Sequence, residues 1–86
     1  MKFQGALIKE QGVTFAVVAV KKTVVDNRIE ANRTIQSFQS IFPGIPIVLM
    51  AQDYQGRAEY YGRQDISRFL ANVPLHTIPW KEYSVN

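Results

Sequence analysis

The stretch Ile45-Pro46-Ile47-Val48-Leu49-Met50-Ala51 decides the fold. It is an almost unbroken apolar run, introduced by Phe42-Pro43-Gly44 and followed by Gln52-Asp53. A run of this length between turn residues is typical of a strand buried on both faces, because a half-buried strand would alternate apolar and polar residues. We therefore expect this strand in the middle of a sheet, with other elements covering both of its faces.

A second central strand is predicted over Val13–Val20, which is also apolar on both faces. A strand over Phe3–Ile8 precedes it, weakened by Gly5. The polar residues Lys9–Gly12 between the two strands suit a four-residue hairpin loop. The first half of the chain therefore opens with an antiparallel hairpin.

A helix is predicted between the two central strands. Thr23 or Asp26 would cap its N-terminus, and Pro43-Gly44 would end it at about Phe42. One stripe at helical spacing faces the core, made of Val24, Ala31, Ile35, Phe38 and Phe42. Three polar residues follow an edge of that stripe and are interpreted as boundary residues, with a polar site under the helix as the alternative: Arg28, Asn32 and Gln39.

The second half of the chain has shorter predicted elements. A turn at Asp53–Gly56 leads to a returning strand, Arg57–Tyr61, whose alternation indicates one solvated face. A short helix then begins within Gly62–Asp65 and ends before Pro74. Its apolar residues have i, i+3, i+4, i+7 spacing: Ile66, Phe69, Leu70 and Val73. Leu75–Ile78 would form a last edge strand, interrupted by Pro79.

This element order, ββαββα with a final β, predicts one domain over residues 1–86. The first helix would connect two parallel central strands, and the flanking strands would pair as antiparallel hairpins. The predicted fold class is therefore α+β, or a small α/β domain, with two or three layers and a mixed sheet.

The amino-acid composition excludes several classes of function. The chain has 86 residues, 47% of them hydrophobic, a net charge of +3 and no cysteine. Disulfides, thiolate catalysis and cysteine-bound metals are excluded, and the single histidine, His76, has no metal-binding companion at suitable spacing. We expect no cofactor and no metal. The sequence shows neither a secretory signal pattern nor a membrane-length apolar run, so a cytoplasmic protein without membrane contact is expected.

No group of residues forms a recognisable catalytic arrangement. Asp53, Glu59 and Asp65 each have a structural explanation as turn, strand-surface and helix-start residues, and nothing in their spacing makes two of them converge. A non-enzymatic role is therefore the favoured expectation. An enzyme would need its site completed by a second subunit.

The most suggestive group is aromatic and basic together, in the second hairpin and the start of its helix: Tyr54, Arg57, Tyr60, Tyr61, Arg63 and Arg68. Such residues can stack bases and hold phosphates, and they are also enriched in protein–protein interfaces. The simplest alternative is that Tyr60 belongs to the core. Arg57, Tyr61 and Arg63 are the residues expected to contact a partner or a nucleic acid.

One resemblance follows from the second half. Gly44–Met50, the turn at Asp53–Gly56, the returning strand, and Tyr61-Gly62 before the helix through Phe69-Leu70 resemble the C-terminal half of thioredoxin-like folds. The resemblance covers about a third of the chain and implies that Pro46 is a cis-proline. The chain has no Cys-x-x-Cys, so it implies no redox activity.

The C-terminal tail is unusually apolar and leads to a prediction of self-association. Its apolar residues are Leu75, Ile78, Trp80, Tyr83 and Val85. Two short helices would leave part of a doubly apolar sheet uncovered, so the tail, with Trp80 and Tyr83 as contacts, is expected to dock on a neighbour in a two-fold dimer. The alternative is that it completes its own core. A self-associating interaction module is the leading hypothesis for function, and nucleic-acid binding through the Arg–Tyr hairpin is the alternative.

Overall fold

The chain begins with a tight β-hairpin between β1 (Lys2–Glu10) and β2 (Val13–Ala19). Gln11 and Gly12 form the turn, with φ of 51° and 80°. Two consecutive residues with positive φ make the primed turn that matches the twist of a hairpin, and glycine tolerates this conformation best. The predicted four-residue loop is therefore wrong, because the pairing of Lys9 and Glu10 with β2 lengthens both sides of the hairpin.

The computed structural model describes residues 1–86, and seven further elements follow the hairpin. In chain order they are α1 (Lys22–Val25), α2 (Arg28–Gln39), β3 (Ile47–Gln52), β4 (Ala58–Tyr61), α3 (Gln64–Ala71), one turn of 3₁₀-helix (Leu75–Thr77) and β5 (Lys81–Ser84). None of the helices has both the length and the apolar character needed to cross a bilayer.

The five strands form one mixed sheet in the order β4-β3-β2-β1-β5. β2 and β3 are parallel neighbours, joined through α1 and α2, and every other pairing is antiparallel. The two runs predicted as central strands, around Val17 and Val48, lie side by side in the middle of the sheet. The predicted class, a mixed sheet in a small α+β domain, is confirmed.

Alternation along the central strands produces two separate cores, one on each face of the sheet. On one face, which we call the α2 face, α2 covers a cluster that includes Ala16, Val18, Ala31, Phe38, Phe42, Ile47 and Leu49. On the opposite α3 face, α3 and the chain that follows it cover a cluster that includes Ala6, Phe15, Val17, Val48, Met50, Ile66, Leu70 and Ile78. The domain therefore has three layers.

The predicted start of the long helix is wrong. α2 begins at Arg28, and its N-cap is Asn27, whose side-chain oxygen accepts the backbone N–H of Glu30 at 3.1 Å. Asparagine is among the preferred N-cap residues, and Glu30 adds a negative charge in the first turn, so both residues stabilise a helix that starts at Arg28. Asp26 is instead the C-cap of α1, which is a helix of a single turn.

The predicted last strand is also misplaced. Leu75–Thr77 form the 3₁₀ turn, and Pro74 and Pro79 flank this segment. The strand lies further on, at Lys81–Ser84, and pairs with the first half of β1. The N–H groups of Thr77 and Ile78 bond back to the carbonyls of Pro74 and Leu75 and are not free for a strand, and sheet pairing begins only beyond Pro79.

Candidate interaction surface

Strand β4 carries two tyrosines, and the alternation of the strand separates them. Tyr60 packs against the core of the α3 face, whereas Tyr61 packs against the core of the α2 face. The Tyr61 hydroxyl donates a hydrogen bond to Oδ1 of Asn32 on α2, at 3.0 Å. The two rings therefore do not form one stacking platform of the kind that binds single-stranded nucleic acids.

Two arginines flank β4, and each is bonded to a carboxylate. Nε of Arg57 donates to Oδ2 of Asp53 at 3.0 Å, while Arg63 donates to both carboxylate oxygens of Asp65 at 2.8 Å. Asp53 also accepts the backbone N–H groups of Arg57 and Gln55. The hydrogen bond from the Arg57 backbone is the main cause that holds the pKa of Asp53 below its usual range, and the Arg63 side chain does the same for the pKa of Asp65.

Lys22, the first residue of α1, contacts two carboxylates, one at the end of α1 and one on β4. Its Nζ lies 2.9 Å from Asp26 and 3.2 Å from Oε2 of Glu59. Hydrogen bonds to Asp26 and then to Glu59 raise the pKa of Lys22 above its ordinary value. No local sequence pattern predicts the contact of Lys22 with Glu59, because these residues are distant in the chain.

The outer edge of β4 is open, since β4 is the first strand in the sheet order. The N–H of Asp53 donates to the carbonyl of Arg57 at 2.9 Å, so these residues form a hydrogen-bonded pair of the β3–β4 ladder. Hydrogen-bonded and non-hydrogen-bonded pairs alternate in an antiparallel ladder, so Ala58 and Tyr60 direct their N–H and C=O groups away from β3. β4 thus offers these groups to another strand.

The other edge of the sheet, at β5, is better protected. β5 follows Pro79 and carries Lys81 and Glu82 within its four residues, and short length, charge and a nearby proline all discourage edge pairing. In β4 the only charged residue is Glu59. Tyr54, in the turn just before β4, is 92% exposed and adds an uncovered aromatic ring near the same edge.

A groove of about 340 Å³ lies between β4 and the outer side of α3. Its lining residues are Ala58, Tyr60, Gln64, Ser67, Arg68 and Ala71. The hydroxyls of Tyr60 and Ser67 are shielded from solvent and have no hydrogen-bond partner, and burial raises the pKa of Tyr60. The small side chains of Ala58, Ser67 and Ala71 leave room beside the strand, and the two hydroxyls could bond a group that enters the groove.

A second, polar cleft lies on the α2 face. Asn32 and Gln39, two of the polar residues along the edge of the helix stripe, line it together with Tyr61 and Arg63. Pro46 also lines it, and its peptide bond is trans, as are all others in the chain. The cis-proline implied by the thioredoxin-like resemblance is therefore wrong, although the order strand, hairpin and helix is present in β3, β4 and α3.

The tail residues expected on a neighbour fold back onto their own chain. Trp80 packs against the core of the α3 face, and its Nε1 donates to the carbonyl of Leu75 at 3.1 Å. Tyr83 stacks on Phe3, with ring centroids 5.1 Å apart and planes within 7°. The tail therefore packs on its own chain, as in the alternative arrangement, through β5 pairing and both aromatic side chains, and its docking on a neighbour stays a prediction.

His76 lies exposed in the 3₁₀ turn, and no three His, Asp or Glu side chains come together as a metal-binding group.

Sequence reasoning found the residues of β4 but missed the groove beside it, because Ser67 and Ala71 carry no recognisable signal on a short helix. The geometry brings together an open strand edge and a groove whose lining includes three small side chains, Ala58, Ser67 and Ala71. No family model, curated protein or solved structure matches this chain.

Proposed function

We propose that the protein is a small, non-enzymatic interaction module that self-associates as a two-fold dimer through the edge of β4. The observation that carries this proposal is the open β4 edge, where the N–H and C=O groups of Ala58 and Tyr60 point outward. Pairing two such edges satisfies these groups and continues the sheet from one subunit into the next. A two-fold axis is the commonest closed arrangement of identical subunits.

The groove beside α3 supports the same surface. One side of α3 faces this groove, and it carries three residues at helical spacing: Gln64, Ser67 and Ala71. Ser67 and Ala71 are small, so another subunit can approach α3 closely when the two β4 strands pair. The interface then has a strand layer and a helix layer, which increases the area buried beyond that of a four-residue strand alone.

Charge also favours β4 over β5 as the contact edge. The acids near β4 already have partners, because Glu59 contacts Lys22 and Asp53 contacts Arg57. Glu82 on β5 forms no ion pair, and neither does Lys81. Strand pairing at β4 therefore buries fewer unpaired charges than pairing at β5.

The mass of the protein in solution tests the proposal. Size-exclusion chromatography with light scattering, over a range of micromolar concentrations, should give twice the 9.8 kDa mass of the chain. A mass near 9.8 kDa at every concentration would overturn self-association.

Two proline variants test the edge itself. Ala58→Pro removes an outward N–H from β4 and should convert the dimer to monomer. Glu82→Pro is the matched control, because Glu82 lies in a non-hydrogen-bonded pair with Gln4 and its N–H also points outward, at the opposite edge. Thermal melts establish that both variants fold. A folded Ala58→Pro variant that remains dimeric, or a Glu82→Pro variant that becomes monomeric, would place the interface elsewhere.

A further inference from the structure

We infer that the two β4 strands pair antiparallel about a two-fold axis through Glu59, so that Ala58 of each subunit lies opposite the partner's Tyr60. This inference rests on the proposed self-association and specifies which residues meet at the interface. Ala58 and Tyr60 are the two residues of β4 whose N–H and C=O groups point away from β3. With the axis at Glu59, each of them faces the other in the partner, and both pairs exchange backbone hydrogen bonds.

The turn before β4 excludes an axis nearer to the start of the strand. An axis through Ala58 would place Tyr60 opposite the partner's Gly56. The N–H of Gly56 donates to the carbonyl of Asp53 at 2.9 Å, and the carbonyl of Gly56 accepts Nε2 of Gln52 at 3.1 Å. Both backbone groups of Gly56 are thus used inside the turn, so the outward groups of Tyr60 would lose their contact with water without gaining a partner.

The bend after β4 excludes an axis nearer to the end of the strand. An axis through Tyr60 would place Ala58 opposite the partner's Gly62. Gly62 lies beyond the last residue of β4 and has φ of 154°, outside the extended region of a strand. An axis between two residues fails as well, because an outward residue would then face one that is bonded to β3. The axis at Glu59 is the one that pairs both outward residues within the strand.

Charged side chains surround the axis on the α2 face, where Arg57 and Glu59 lie with Tyr61. The two Glu59 side chains are neighbours in this register, and each keeps the 3.2 Å contact with Nζ of Lys22 in its own subunit. Arg57 of the partner is a diagonal neighbour of Glu59, within reach of a long side chain. Its terminal nitrogens make no hydrogen bond, and its side chain is 72% exposed. Two lysines and two arginines thus offset the repulsion between the two carboxylates.

The α3 face of the interface pairs a small side chain with a large one. Tyr60 lies opposite the partner's Ala58, and both residues line the groove beside α3. Large and small side chains at facing positions interdigitate well, so the ring of each Tyr60 covers an alanine rather than meeting a second ring.

Single-cysteine variants locate the axis, because the chain has no cysteine of its own. A residue on the axis lies opposite its own copy. The Cα atoms of a non-hydrogen-bonded pair are about 4.5 Å apart, which is within the range for a disulfide. Glu59→Cys should therefore form a covalent dimer under mild oxidation, shifting from 9.8 kDa to twice that mass on non-reducing gels.

Arg57→Cys is the matched control on the same face of the strand. In this register its copy is displaced by four residues along the strand, about 13 Å, so the variant should stay unlinked at the oxidant concentration that links Glu59→Cys. Arg57 lies instead opposite the partner's Tyr61. An equimolar mixture of Arg57→Cys and Tyr61→Cys should therefore form linked heterodimers, although neither variant links by itself. Thermal melts establish that each variant folds.

The outcomes separate this inference from the proposed function. A wild-type protein that is monomeric overturns both. A dimeric wild type whose folded Glu59→Cys variant links no faster than Arg57→Cys overturns the axis alone. If Glu59→Cys is monomeric or fails to fold, the mixture decides, and a mixture without linked heterodimers overturns the axis.

Discussion

The hydroxyl of Tyr61 lies 3.0 Å from Oδ1 of Asn32, and this hydrogen bond joins the edge strand β4 to helix α2. Tyr61→Phe removes the donor and keeps the ring, so the free energy of unfolding should fall by about 0.5–1.5 kcal/mol in urea melts. Tyr83→Phe is the matched control, because the Tyr83 hydroxyl forms no hydrogen bond. An equal effect of the two variants would show that the Tyr61–Asn32 bond contributes nothing to stability.

Leu70 is the fully buried residue of α3 and should dominate the stability of the α3 face. Leu70→Ala should lower the free energy of unfolding by about 2–5 kcal/mol, the usual cost of such a deletion in a core. Phe69 is only half-buried and meets Phe15 edge-on at 6.4 Å, so Phe69→Ala should lower the free energy of unfolding by about 2–3 kcal/mol.

Denaturant melts of both variants check this order. If Phe69→Ala costs more than Leu70→Ala, the packing of α3 described here is wrong. A loss below roughly 1 kcal/mol for both would mean that this face is not part of the core.

Apolar runs predicted the centre of the sheet well, because a strand buried on both faces leaves a strong local signal. The parallel pairing of the two central strands, which sets Val17 beside Val48, follows from such runs and the order of the elements, whereas the faces on which the two helices lie do not. The helix boundaries were harder to predict from the sequence. Asn27 and Glu30 stand at capping spacing, yet Thr23 and Asp26 are also residue types that cap helices, and local sequence alone did not rank the three.

The interaction surface was harder to predict than the sheet. The arginines and tyrosines around β4 were identified from the sequence, but their directions depend on strand alternation and on distant partners such as Asn32. The apolar composition of the tail fits both packing in cis and docking on a neighbour, so composition alone did not rank these two arrangements. The pairing of β1 with β5 shows the packing in cis.

Asp53 makes stability depend on pH in the acid range. Hydrogen bonds, first from the backbone N–H of Arg57, lower its pKa in the folded state below the ordinary value of 3.8. A carboxyl group with a lowered pKa contributes stability that is present above its unfolded pKa and is lost as the pH falls through the folded pKa. The melting temperature should therefore drop as the pH falls below about 4.

Asp53→Asn should flatten that drop, because the amide does not titrate, and should lower the melting temperature at neutral pH by weakening the bonds to Arg57. Glu82→Gln is the control, since the Glu82 side chain forms neither an ion pair nor a hydrogen bond. Melting temperatures measured from pH 7 down to about 2 give the comparison. An unchanged acid limb in Asp53→Asn would assign the pH dependence to other groups, Asp65 first among them.

Trp80 distinguishes a tail that completes its own fold from one that holds a neighbour. Its indole packs against the core of the α3 face, and Nε1 donates to the carbonyl of Leu75 at 3.1 Å, both within one chain. Trp80→Ala should therefore lower the free energy of unfolding by about 2–4 kcal/mol, somewhat less than for a fully buried tryptophan because the ring is half-buried. The variant should keep the oligomeric mass of the wild-type protein wherever it is folded. Urea melts and light scattering on the same sample give the two quantities. A folded Trp80→Ala monomer with wild-type stability, obtained from a dimeric wild type, would instead place the tail in the interface and contradict its packing in cis.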